Sequence, residues 1–186
     1  MSTGNSSVLV ISDSHGNVPA LTAVLVWARQ EYPEQNTAFA AAVFLGDGAD
    51  DLAPASAEAG FAVPWYKVRG NGDLNFLIPD TLVVEIPRKL FLTHGNRYGV
   101  DGGGQTIAAA AGTAGAEAAL FGHTHTPHCS MVNGIFLLNP GSIGRSRSNA
   151  GPTFAILECP VSGPLTARFF CLVNKGRKIE VKELEL

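Results

Sequence analysis

The chain has 186 residues, of which 46% are hydrophobic and 16% charged, with 21 glycines, 11 prolines and a formal net charge of −3. That balance describes a folded, turn-rich domain spanning 1–186; it excludes a disordered chain and speaks against a nucleic-acid-coating protein, which carries a basic stripe. Cys129, Cys159 and Cys171 form no CxxC pair and are odd in number, so they read as buried hydrophobes in a reducing compartment.

Residues 1–12 lack a basic n-region, and no stretch approaches the roughly 20 apolar residues of a membrane span. A cytoplasmic protein without a membrane partner is expected. Residues 7–12, SVLVIS, are apolar on both faces, as in a central strand covered on two sides. Residues 17–31 have helical periodicity, with Leu21, Val24, Leu25 and Ala28 on one face and Pro19 in the first turn. A second buried strand is predicted at 41–46, a helix broken by Pro54 at 50–60, and a third strand at 61–70. Residues 81–87 and 89–95 predict a hairpin turning near Pro87 and Arg88. An Ala-rich helix at 105–118, interrupted by Gly112 and Gly115, leads to a strand at 119–122. The segments 134–142, 152–160, 165–173 and 177–186 predict a run of antiparallel strands. Helix–strand alternation followed by strands alone implies an α/β sandwich of two sheets.

The ends of five strands carry the functional signal. They run into Asp13, Asp47, Asn71, His94 and His123, all oxygen or nitrogen donors to a divalent metal. Open α/β sheets place their sites at the carboxyl ends of strands. Asp13 and His15, and likewise His123 and His125, are two residues apart, and an extended backbone would send both members of each pair to one side. Taken singly, each residue has an ordinary structural explanation as a cap, a turn former or a satisfied core histidine. Taken together they require several buried polar groups to cluster, and a metal is the usual remedy for that cost.

The ordered motifs DSH (13–15), GD (46–47), GN (70–71), THG (93–95) and GHTH (122–125) resemble the calcineurin-like metallophosphoesterase superfamily. The length, GNGD (70–73) and NPGS (139–142) are most similar to its small YfcE-type phosphodiesterase branch. The resemblance implies a four-layer αββα sandwich of two mixed sheets flanked by helices. It implies one metal held by Asp13, His15, Asp47 and His125, and a second held by Asp47, Asn71, His94 and His123, with Asp47 bridging. Asp47, Asn71 and His94 are then also the catalytic residues. Imidazole and carboxylate donors without thiolate suit two ions of manganese foremost, or of zinc, iron, cobalt or nickel. A pair of such ions about 3.5–4 Å apart clamps a phosphoryl group, and a bridging hydroxide attacks phosphorus.

Two positions depart from the family pattern. Gly72 stands where many members carry a general-acid histidine, which points to diesters or good leaving groups; Asp73, without a histidine to orient, is expected to cap the next segment. Asn96 stands where relatives often carry a second histidine, and with Arg145 it is a candidate for substrate contact. NPGSIGRSRS (139–148) reads either as a turn bracing the site, with Ser142 structural, or as a phosphate-holding loop using Arg145 and Arg147. The glycine-rich segment 99–106 reads as a flexible loop at the site mouth, and His128 as a rim residue. The expected partner is a small phosphodiester or phosphoester, with nucleic acid disfavoured and a homo-oligomer implied by the relatives. The competing function is a non-catalytic protein-interaction scaffold of the same fold, like the retromer subunit, whose departures fall at the GD and GN segments that are intact here.

Overall fold

The computed structural model describes residues 6–30, 32, 39–176 and 178–186. In chain order its elements are β1 (Ser6–Ile11), α1 (Val18–Gln30), β2 (Phe39–Phe44), α2 (Leu52–Ala59), β3 (Trp65–Lys67), β4 (Thr81–Ile86), β5 (Arg88–Thr93), α3 (Gln105–Thr113), β6 (Ala118–Leu120), β7 (Pro127–Val132), β8 (Ile135–Pro140), β9 (Thr153–Cys159), β10 (Thr166–Lys175) and β11 (Lys178–Leu184). One sheet has the order β11-β10-β9-β1-β2-β3, the other β4-β5-β6-β8-β7, and both mix parallel with antiparallel pairs. Residues 1–5, part of the N-terminal stretch read for a basic n-region, and Glu31 and Arg177, at the ends of the predicted 17–31 helix and 177–186 strand, lie outside the described residues.

The alternation of apolar side chains along each strand creates the layers. Val8 and Val10 of β1 face the second sheet, joining Val43, Leu90, Leu92, Leu120, Leu138 and Leu157. Leu9 and Ile11 face the other way, against Leu21, Val24 and Leu25 of α1 and Ala55 and Ala59 of α2. On the far side of the second sheet, Phe91, Ala119 and Leu137 meet Ile107, Ala108 and Ala111 of α3. The result is the expected four-layer sandwich. Each fully buried Leu or Ile contributes about 1.5–3 kcal/mol, so β1, buried on both faces, anchors the fold.

Several elements differ from the sequence expectation for physical reasons. Pro54 does not break its helix: it lies in the first turn of α2, where its missing N–H has no intrahelical partner to lose. The third strand shrinks from 61–70 to Trp65–Lys67. The helix expected to reach 118 ends at Thr113, because Gly115 at φ +69° closes a Schellman motif. There the Ala116 N–H reaches the Ala111 carbonyl and the Gly115 N–H that of Gly112. The later strands are not one antiparallel run, since β8 pairs parallel with β6 in the second sheet, while β9, β10 and β11 form an antiparallel meander in the first. β7 had no sequence prediction. It pairs with β8 around Asn133-Gly134, both at positive φ, the signature of a two-residue hairpin turn.

Candidate metal centre

Parallel strands deliver their carboxyl ends to one edge, and there the loops are sewn together by backbone hydrogen bonds. The Asp13 N–H donates to the Gly46 carbonyl (2.9 Å), the His15 N–H to that of Asp47 (3.0 Å), and the Gly122 N–H to that of His94 (3.0 Å). Of six non-glycine residues at positive φ among the described residues, five are candidate donors: Asp13 (55°), His15 (46°), Asp47 (58°), His123 (68°) and His125 (60°). The i, i+2 pairs therefore converge through left-handed residues, not through the extended backbone inferred from spacing. A left-handed residue turns the chain sharply, so each peptide presents its side chain inward within a short loop. This strain is concentrated where side-chain direction matters most.

The donor atoms converge closely. His15 Nε2 and His125 Nε2 are 3.2 Å apart, and Asp13 Oδ1 lies 3.7 Å from the first and 3.1 Å from the second. Asp47 Oδ2 lies between His15 and His94, 3.8 Å and 3.6 Å from their Nε2 atoms. Two sets of donors, Asp13/His15/His125 and Asp13/Asp47/His94, have all their donor atoms within 4.8 Å of one another. Asp13 Oδ1 and His94 Nε2 are buried without a hydrogen-bond partner among the described residues. Two buried carboxylates and convergent imidazole nitrogens fit a divalent cation, which satisfies such orphaned acceptors.

A second tier of contacts fixes these donors. His94 Nδ1 meets the Leu45 carbonyl and His125 Nδ1 that of Arg145, both at 2.7 Å, so each ring donates from Nδ1 and turns its Nε2 lone pair into the site. Asp13 Oδ2 accepts from the Ser12 hydroxyl and from the His123 N–H at 3.1 Å, leaving Oδ1 free. Asp47 Oδ1 accepts the Gly72 N–H at 2.6 Å, leaving Oδ2. The Ser142 hydroxyl donates to the Asp13 carbonyl and accepts the Arg145 N–H, both at 2.8 Å, and buried Asn139 donates to the Gly122 carbonyl at 2.7 Å. The NPGS segment thus braces the site.

Asp73 corrects the sequence reading. It caps the preceding loops, not the next segment: Oδ1 accepts the Gly48 and Ala49 N–H groups (2.8 and 3.0 Å), and Oδ2 those of Asp47 and Gly70 (both 2.9 Å). Burial pushes its carboxyl up, but these four donors outweigh burial and hold it below the usual range. Asp51 plays a parallel part for the DSH loop, accepting from Ser14 Oγ (2.6 Å) and the Gly16 N–H (2.8 Å). Neither role was read from the sequence; the available signal was an acid lying close in sequence to a donor within a glycine-rich loop.

Burial pushes the His15 imidazole below its ordinary pKa, and burial reinforced by neighbouring His94 does the same for His123. Both therefore favour the neutral form that binds metal. The Asp13 carboxylate, 3.1 Å from its Nε2, pushes His125 the other way. His123 stacks edge-on against His94, their centroids 5.1 Å apart, beside but outside the two donor sets. Asn71 and Asn96 are exposed and line a second cavity of about 190 Å³ with Arg69, Asp80 and Arg97. Arg145 lines the main cavity of about 370 Å³ with His15, Asp47 and Asp73. Arg147 donates its N–H to the His125 carbonyl and is exposed, and His128 is an exposed residue bonded to Ser130 Oγ. The glycine-rich segment forms a tight turn, Val100–Gly102, flanked by left-handed Gly99 and Gly103.

Residues 7–161 match the family model of the calcineurin-like phosphoesterase superfamily domain. The chain belongs to that superfamily. Within it, this calcineurin-like chain is 29% identical over 175 residues to the probable metallophosphoesterase YsnB of Bacillus subtilis (strain 168), covering 94% of this chain and 95% of YsnB. A conserved protein of Streptococcus pneumoniae TIGR4, described as a predicted phosphoesterase, superposes with a TM-score of 0.72 at 24% identity, covering 98% of this chain and 100% of that one. Wild-type Vps29 of Entamoeba histolytica, crystallised with zinc, superposes at 0.68 and 22% identity over 96% of this chain and 98% of its own. The chain is a probable metallophosphoesterase of the small YsnB-like branch, with a Vps29-like fold. Among the described residues, no helix is long and apolar enough to cross a membrane.

Proposed function

We propose that this protein is a dinuclear-metal phosphodiesterase acting as one domain on a small phosphodiester in the cytoplasm. Asp13, His15, Asp47 and His125 hold one ion, and Asp47, Asn71, His94 and His123 the other, with manganese the preferred metal. The observation that carries this reading is the buried convergence of donors around Asp13 Oδ1 and His94 Nε2, which have no hydrogen-bond partner among the described residues. When bound, such ions supply Lewis-acid activation of phosphoryl oxygens and an acidified water as nucleophile.

The protein's own residues orient the reactants. Asp47 Oδ2, set between His15 and His94, spans the two halves of the site, and its Oδ1 is pinned by the Gly72 N–H. Arg145 offers a guanidinium fork to a phosphate in the cavity beside His15 and Asp47, and Asn96 lines the neighbouring cavity with Asn71. No side chain at position 72 protonates the leaving oxygen, which favours weakly basic leaving groups and diesters.

The test is hydrolysis of bis(4-nitrophenyl) phosphate by protein loaded in turn with manganese, zinc, cobalt and nickel. Turnover is expected with metal, none after chelation, and a loss of at least roughly 100-fold in Asp47→Asn. Equal rates before and after chelation, or full turnover by Asp47→Asn, would overturn the assignment.

A further inference from the structure

The segment Leu74–Leu77 is apolar where a soluble surface should not be. Leu74 is 85% exposed, Phe76 76% and Leu77 95%, immediately after the Gly72–Asp73 corner of the metal loops. It is nevertheless a built turn. Asp73 pins one end, Ile78 is buried at the other, and the Leu77 N–H bonds to Asn75 Oδ1 (3.1 Å) while the Ile78 N–H bonds to the Asn75 carbonyl (3.2 Å). The Arg69 guanidinium covers one face of Phe76, 4.7 Å from the ring centroid. Exposed apolar groups rimming a polar cleft mark a ligand-binding surface.

Continuity and size identify the occupant. Leu74 lines the same cavity as His15, Asp47 and Arg145, and Phe76 lies under Arg69, which lines the neighbouring cavity with Asn71 and Asn96, so the segment borders both cavities beside the candidate metal donors. The three side chains together present roughly 400–500 Å², taking about 150 Å² or more for each. A stable dimer needs about 800 Å² per partner, so the patch is too small for that role but matches one organic group. We propose that Leu74 and Phe76, extended by Leu77, form a recognition lip for an aromatic or apolar arm of the phosphoester whose phosphate lies at the donor cluster. This assignment rests on the phosphoesterase reading and narrows its substrate class. It also fits a site without a side-chain acid, since aryl oxygens leave without protonation.

The experiment compares equilibrium binding of phenylphosphonate and methylphosphonate to manganese-loaded protein by calorimetry, alongside hydrolysis of bis(4-nitrophenyl) phosphate. The wild type should bind the phenyl compound roughly tenfold more tightly, the effect of moving one ring onto apolar surface. Leu74→Ser, Phe76→Ser and the double variant, all at exposed positions, should reduce that ratio to about threefold or less. Equal wild-type affinities, or a ratio that survives in the double variant, overturn the lip while hydrolysis leaves the phosphoesterase reading standing. Absence of both phosphonate binding and hydrolysis overturns both. Sedimentation showing a wild-type dimer that Leu77→Ser dissociates assigns the patch to a second copy of the chain and overturns the lip.

Discussion

Replacing Asp73 by Asn tests whether one carboxylate holds the metal loops together. The amide keeps the shape but has one acceptor oxygen, so its NH₂ must face two backbone N–H donors: those of Asp47 and Gly70, or those of Gly48 and Ala49. Two charge-assisted hydrogen bonds, each contributing about 1.5–3 kcal/mol, are lost; the partial exposure of Asp73 reduces the sum to about 3–4 kcal/mol. That is a large share of the roughly 5–15 kcal/mol by which domains are stable. With a urea slope near 2 kcal/mol/M, the unfolding midpoint should fall by about 1.5–2 M at pH 7. The folded carboxyl titrates below its unfolded value, so its contribution is whole above the ordinary carboxyl pKa and is lost as pH falls through the depressed folded value. The gap between wild type and Asp73→Asn should therefore close on acidification below about pH 4. Manganese affinity should fall with stability, because Asp47 and Asn71 sit on the loops that Asp73 ties. A variant within about 1 kcal/mol of wild type at pH 7 would refute the brace.

Gly122→Ala should weaken metal binding and destabilise the fold, since its Cβ would press into the Ser12 hydroxyl and lie 2.6 Å from Asp13 Oδ2; calorimetric metal titration and a thermal melt read both effects. In Gly72→His a Cβ would come within 3.1 Å of Asp47 Oδ1 and shift that carboxylate by a few tenths of an ångström, so manganese affinity should fall while the new imidazole favours alkyl diesters; calorimetric titration and turnover of alkyl against aryl diesters check both, and unchanged affinity with an unchanged alkyl-to-aryl ratio would refute it. In the wild type, a Brønsted plot over aryl and alkyl diesters should fall steeply with leaving-group basicity. Native protein at pH 8 should expose one thiol to an aromatic disulfide reagent, the exposed Cys129, because Cys171 is buried and burial pushes the Cys159 thiol up to about 12; denaturation should release all three.

The donor set was legible because its physics is written locally. A buried parallel strand reads as a short apolar run, and a polar residue directly after one has few purposes other than a site. That reasoning pointed to Asp13, Asp47 and His94, and the i+2 spacing to His15 and His125, the five residues whose donor atoms converge; it also pointed to His123 and Asn71, which lie outside the two donor sets. What the sequence concealed was the backbone that brings them together. Nothing in DSH or GHTH says that the residues adopt left-handed conformations, since the strain is maintained by distant partners such as Ser142 on the Asp13 carbonyl and Asn139 on the Gly122 carbonyl. Asp73 was misassigned for the same reason: a cap's target depends on which loops are adjacent in space. β7 is a different case. Its Asn133-Gly134 turn was visible, but His128, Cys129 and Ser130 along the strand obscured the alternation that would have named it. Pro54 and Gly115 show that a breaker residue is decided by its position in the helix, at the first turn in one case and beyond the last in the other.

The proposed centre is a pair of metal ions held by seven residues of this chain. It is tested most directly by anomalous diffraction at the manganese edge from crystals grown with manganese. Two peaks about 3.5–4 Å apart are expected, with Asp47 touching both, Asp13, His15 and His125 on one, and Asn71, His94 and His123 on the other. A single peak, or two peaks whose contacts leave out Asp47, would contradict it.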